Sequence, residues 1–87
     1  MYDTSDSVVQ DLLLRIVSAL VDRTDAIRIT TTQSLEGMCF SILVHKEDVG
    51  KLIGRQGHTA RSLRTIISGV GMKSQRRYEI DIVESDL

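Results

Sequence analysis

Proline and tryptophan are absent from this 87-residue chain, cysteine occurs once, and there are only one Phe and two Tyr. With no long polar tract and with 41% of its residues apolar, the composition excludes a disordered, collagen-like or mucin-like segment. No apolar run approaches the roughly 18 residues that a membrane-spanning helix needs. Met1 to Ser7 is polar and acidic, without the basic start and apolar centre of a secretory signal. These absences lead us to expect a cytoplasmic protein without membrane insertion. Cys39 alone cannot make an intramolecular disulfide, and with His45 and His58 it falls short of a zinc spacing, so no metal and no cofactor are expected. The length fits one small domain, residues 1–87 with its core at about 7–84.

The charges nearly cancel, 11 Lys and Arg against 12 Asp and Glu, and a net charge of −1 by itself points to no polyanionic partner. Their placement says more. Residues 1–25 carry Asp3, Asp6, Asp11, Asp22 and Asp25 against Arg15 and Arg23, whereas residues 51–64 carry Lys51, Arg55, Arg61 and Arg64 and no acid. A basic patch of this kind attracts an anion locally, because fields act within a Debye length of about 8 Å.

Hydrophobic periodicity then orders the chain. Ser7 with Gln10 reads as a capping box, and Val9, Leu12, Leu13, Ile16, Val17, Leu20 and Val21 recur at helical spacing, which predicts a helix over about 7–22. Ile27, Ile29 and Thr31 alternate with polar residues as a half-buried strand, and Ser34 to Gly37 reads as a turn. Phe40, Ile42 and Val44 form a second strand paired to the first, with Leu43 pointing outward. Lys46 to Ile53 predicts a short helix that opens on the acids Glu47 and Asp48. A third helix runs from His58 to Ile67 or Gly69, capped by Gly69 and Gly71, and Tyr78, Ile80 and Ile82 mark a third strand before a tail of Glu84 to Leu87. About 30 residues with two helices separate the second and third strands, a crossover length that lets them lie parallel. The expected fold class is α+β, two layers in the order αββααβ, with a three-stranded mixed sheet covered on one face by three helices.

Between the second and third helices stand Gly54, Arg55, Gln56 and Gly57. Glycine inside a helical pattern costs roughly 1 kcal/mol relative to alanine, so two of them call for a backbone reason. A turn there leaves the first amides of the next helix open to an anion at the positive end of its dipole, lets a sugar-phosphate backbone come close, and adds the charge of Arg55. Lys51, Arg61 and Arg64 flank it.

The stretch Leu52-Ile53-Gly54-Arg55-Gln56-Gly57 resembles the I-G-x-x-G signature of K-homology (KH) domains, and the order of elements resembles the type II topology. From Glu47 through Arg64 and Thr65 the chain is similar to the small bacterial single-KH proteins of the KhpA family. The resemblance implies a module that grips single-stranded RNA through Gly54 to Gly57 while about four nucleotides lie along an apolar groove. It implies RNA contacts at Lys51, Ile53, Gly54, Arg55, Gln56, Gly57, His58, Arg61 and Arg64, and a hydrophobic groove of Val49, Ile53, Ala60 and Leu63. His58 stands where such relatives often carry a basic residue, which lowers the expected charge. With so few rings the chain lacks the stacking platform of an RRM or an OB-fold, so base contacts would be aliphatic and hydrogen-bonded. The resemblance also implies a homodimer, or a heterodimer with a larger Jag-type KH-containing RNA-binding protein. Its implied role is that of an RNA chaperone or post-transcriptional regulator linked to cell shape, division and cell-wall biogenesis.

Blander readings stand beside these. Arg61 and Arg64 also fit a solvated helix face, His45 a surface position and Cys39 a packed or half-exposed thiol. A protein-interaction scaffold with a vestigial RNA site would use the outward Leu43. A nucleotide-binding enzyme is disfavoured, because neither G-x-x-x-x-G-K nor G-x-G-x-x-G occurs and no general base is in view.

Overall fold

A computed structural model describes residues 4–84. In chain order it contains α1 (Thr4–Leu20), β1 (Arg28–Gln33), β2 (Met38–Val44), α2 (Val49–Ile53), α3 (His58–Lys73) and β3 (Tyr78–Glu84). The sheet order is β1-β2-β3, with β1 antiparallel and β3 parallel to the central β2. The αββααβ arrangement expected from periodicity, the crossover between β2 and β3 included, is thus the observed one, and it corresponds to the type II KH fold.

Alternation along β2 buries Met38, Phe40, Ile42 and Val44. The register sets Ile42 between Ile29 and Ile82, and Phe40 beside Ile80. Helix α1 covers this face with Val9, Leu13 and Val17, spaced four apart and all fully buried, α2 with Leu52, and α3 with Leu63 and Ile67. Each such side chain contributes about 1.5–3 kcal/mol by leaving water. Phe40 and Tyr78 meet edge to face with centroids 5.5 Å apart. On the opposite face Leu43 does point outward, half-buried between its cross-strand partners Arg28 and Val83.

Helix α2 begins at Val49, after a single 3-10 turn at Lys46–Asp48, and the ends of α1 and α3 also differ from expectation. Helix α1 begins at Thr4, so Ser7 lies inside the first turn, exposed, and does not cap the helix. The upstream turn places Asp6, fully buried, where Arg76 donates to it from Nε (3.2 Å) and Nη2 (2.7 Å) and Tyr78 from its hydroxyl (2.6 Å). Burial first, and then the bond to Asp6, pushes the Tyr78 hydroxyl up to about 12.

Helix α3 in turn runs through Gly69 and Gly71 to Lys73, so neither glycine caps it. It stops in a Schellman arrangement, with the Arg76 amide donating to the Gly71 carbonyl (2.8 Å), the Gln75 amide donating to the Met72 carbonyl (3.2 Å), and Gln75 left-handed at φ 56°. Gly71 is needed for a different reason: a Cβ there would lie 2.5 Å from the Arg76 carbonyl oxygen as the chain folds back. Glu84, expected to open a tail, instead closes β3, and 85–87 lie outside the described residues.

Candidate functional site

Helix α2 has five residues, too few to hold together unaided. Leu52 anchors it in the core, and Asp48, 1% exposed, ties its start to the segment that follows α1. Asp48 accepts from the Arg23 amide (3.0 Å) and from Lys51 Nζ (2.9 Å). Lys51 also reaches Asp22 at 3.1 Å, and Arg23 pairs with Glu47 at 2.9 Å. The bond from Lys51, followed by those from the Arg23 and Asp22 amides, holds the Asp48 carboxyl below its ordinary range against the opposing effect of burial. The same carboxylates, Asp48 ahead of Asp22, raise the Lys51 ammonium.

Directly after α2 the chain turns. The Gly54 amide donates back to Gly50 (2.9 Å), and the residue takes φ 77°, ψ 172°. A Cβ on Gly54 would meet the Thr59 hydroxyl at 2.2 Å, so both the dihedral and the packing require glycine. Gln56 (φ 56°, ψ 27°) and Gly57 (φ 73°, ψ 14°) are left-handed in succession, a conformation that costs a non-glycine residue roughly 1–2 kcal/mol. The Gln56 carbonyl accepts a bond from Arg61 Nη2, which braces the turn from the first turns of α3. Strain of this kind is held in place by its surroundings and marks positions where backbone geometry has a use.

The expectation that the first amides of α3 are open is corrected at His58. Gly57 donates to Gly54 (3.1 Å) and His58 to Arg55, so those two amides close the turn, while those of Arg55 and Gln56 lie outside these bonds. The side chains of Arg55, Gln56 and His58 are exposed, and among the described residues Arg55 forms no ion pair. The result is a projecting loop with one free guanidinium, two outlying amides and no carboxylate among residues 51–64.

The remaining candidates divide. Val49 and Ile53 are half-buried and offer apolar surface beside the turn. Ala60 and Leu63, expected to line a groove, are only 3% and 4% exposed, because α3 turns that face into the core against the sheet. Arg64 is exposed but donates through Nε to the Ile80 carbonyl (3.3 Å) on the edge strand β3, away from the turn. Lys51 is engaged by its two carboxylates. Asp48 and Asp22 were missed as partners of this region; the spacing of Asp48 to Lys51, three residues on, was the available signal.

Comparison with known proteins bears on the same stretch. The family model described as "KhpA/KhpB, KH domain" matches residues 10–82. The chain is 35% identical over 80 residues to the RNA-binding protein KhpA of Bacillus subtilis (strain 168), covering 92% of this chain and 99% of that protein. It is 38% identical over 80 residues to the protein of the same name from Mycobacterium tuberculosis (strain ATCC 25618 / H37Rv), covering 92% and 96%. With that of Listeria monocytogenes serovar 1/2a (strain ATCC BAA-679 / EGD-e) it shares 35% identity over 75 residues, 86% of this chain and 99% of the relative.

Proposed function

The chain belongs to the KhpA/KhpB KH-domain family, and from that premise we propose that it is a non-enzymatic RNA-binding protein whose Gly54–Gly57 turn grips the backbone of a single-stranded RNA. The observation that carries this reading is the turn itself: a strained, glycine-bracketed loop that exposes Arg55, which forms no ion pair among the described residues. Phosphate oxygens are the acceptors such a loop fits, with Arg61 adding positive charge and His58 a ring N–H donor along the start of α3. Val49 and Ile53 supply the apolar surface for adjoining bases.

A clamp that holds about four nucleotides binds weakly, and joining two clamps raises the effective concentration. We therefore include in the proposal a homodimer, or a heterodimer with a larger KH-containing protein. Two exposed apolar side chains of α3, Ile66 at 54% and Met72 at 77%, support it. The setting proposed, in the cytoplasm as an RNA chaperone or regulator of cell division and envelope growth, follows the family resemblance. The scaffold alternative gains little from Leu43, which its strand neighbours half cover.

The test replaces Arg55 and Gln56 together by Asp. We expect gel-shift affinity for single-stranded RNA to fall at least about tenfold, as two carboxylates now oppose phosphate, with the circular dichroism spectrum unchanged. Retention of binding by the folded double variant would sink the clamp. Wild-type affinity must also decline steadily with added salt.

A further inference from the structure

The Lys51 ammonium lies between Asp48 (2.9 Å) and Asp22 (3.1 Å), and its side chain is 43% exposed. Its two partners differ: Asp48 is buried at 1% exposure, and Asp22 is 80% exposed. The same short stretch carries the Arg23 amide bond to Asp48 and the Arg23–Glu47 ion pair. The segment that follows α1 and the start of α2 are therefore cross-linked at several points, and Lys51 is the α2 side chain that reaches across to Asp22 while holding Asp48. From Lys51 the chain needs two residues to reach Gly54, whose amide returns to Gly50 within the same turn of helix.

A lysine meant to meet phosphate gains from being uncommitted, as Arg55 is. Lys51 would have to surrender two carboxylates to approach an anion, and those carboxylates would repel the same anion. We infer that Lys51 is a positioning residue, which sets the orientation of α2 and hence of the Gly54–Gly57 turn through Asp48 and Asp22, and is not a phosphate contact. The inference rests on the clamp reading above and deepens it by dividing the basic residues into those that touch RNA and one that aims the loop. A loop already held in its bound shape loses less conformational freedom on binding, so such a residue contributes to affinity without touching the ligand.

The two roles separate in the salt dependence of binding to a short single-stranded RNA such as an oligouridylate. Loss of one phosphate contact lowers the slope of log affinity against log salt by about 0.7. For Lys51→Met we expect affinity to fall by about fivefold with that slope unchanged, because preorganisation and not ion pairing is lost. Hydrogen exchange at the Gly54 and Gly57 amides should quicken while the Phe40 and Ile42 amides keep their protection. Asp22→Asn, at an exposed position that does not threaten folding, should weaken binding in the same direction by about twofold, and Lys51→Arg should restore wild-type exchange and affinity. A slope reduced by about 0.7 in Lys51→Met, or tighter binding by Asp22→Asn, would overturn the assignment, since each makes Lys51 an RNA contact. So would unchanged exchange at Gly54 and Gly57. The Arg55→Asp, Gln56→Asp variant serves as the control: if it retains binding, the clamp reading falls, while the exchange data still decide the role of Lys51.

Discussion

Among the described residues two aspartates are buried, and they serve different structural ends. Asp6 is fully enclosed and binds Arg76 and Tyr78, 70 and 72 residues along the chain, so it fastens the first turn of α1 to the end of α3 and the start of β3. Asp48 binds Lys51 three residues on and the Arg23 amide 25 residues back, beside the glycine turn. The first closes the fold, the second aims a loop. A left-handed glutamine accompanies each, Gln75 next to Arg76 and Gln56 within the turn. The contrast teaches that burial of a carboxylate does not by itself tell what it supports; the sequence separation and the location of its donors do.

The most disruptive way to break the comparison is Asp6→Ala, which leaves the Arg76 and Tyr78 donors without their buried acceptor. We expect the melting temperature to fall by on the order of 10 °C, while the turn amides of the still-folded molecule exchange as in wild type. Asp48→Asn should invert that pattern: a drop of about 5 °C by calorimetry, but a marked quickening of exchange at Gly54 and Gly57 and weaker RNA binding.

Titration separates the two ends as well. Asp48 is held below its ordinary value of 3.8, so its stabilisation is present above that pH and fades as pH falls through the lower folded value. Tyr78 is raised from 10.0 to about 12, so its stabilisation is complete below pH 10 and fades as pH rises toward 12. Melting curves of Asp48→Asn should lose part of the acid-side decline, and those of Tyr78→Phe part of the alkaline one. The smallest effects concern the glutamines. Gln75→Gly should stabilise by about 0.5–1 kcal/mol in urea unfolding with RNA binding intact, whereas Gln56→Gly should stabilise similarly and weaken binding by removing a side chain from the loop.

Local patterns made the architecture legible. The period-two run of Phe40, Ile42 and Val44, the period of Val9, Leu13 and Val17, and the long connection to Ile80 were enough for the αββααβ order and the parallel crossover. The position of the turn was legible too, because Gly54 and Gly57 break a helical pattern. What stayed hidden depends on contacts between distant residues. Nothing near Asp6 announces Arg76, and without that pairing Ser7 looked like the first residue of α1. Gly71 looked like a cap because its close approach to Arg76 is a tertiary fact. Ala60 and Leu63 have the same composition in a groove as in a core, and only the tilt of α3 over the sheet decides. Lys51 looked like a free charge because its partner Asp22 lies across a gap in sequence.

The parallel pairing of β3 with β2 has a consequence for synthesis. A chain emerging from a ribosome offers α1, the β1–β2 hairpin and the α2–α3 unit in turn, yet until residues 76–84 appear Asp6 has neither Arg76 nor Tyr78, and one edge of β2 is open. Closing a loop of some 70 residues is entropically slow compared with local pairing. The glycine turn can therefore take shape early, whereas the domain gains its full cooperativity only when the last strand is delivered.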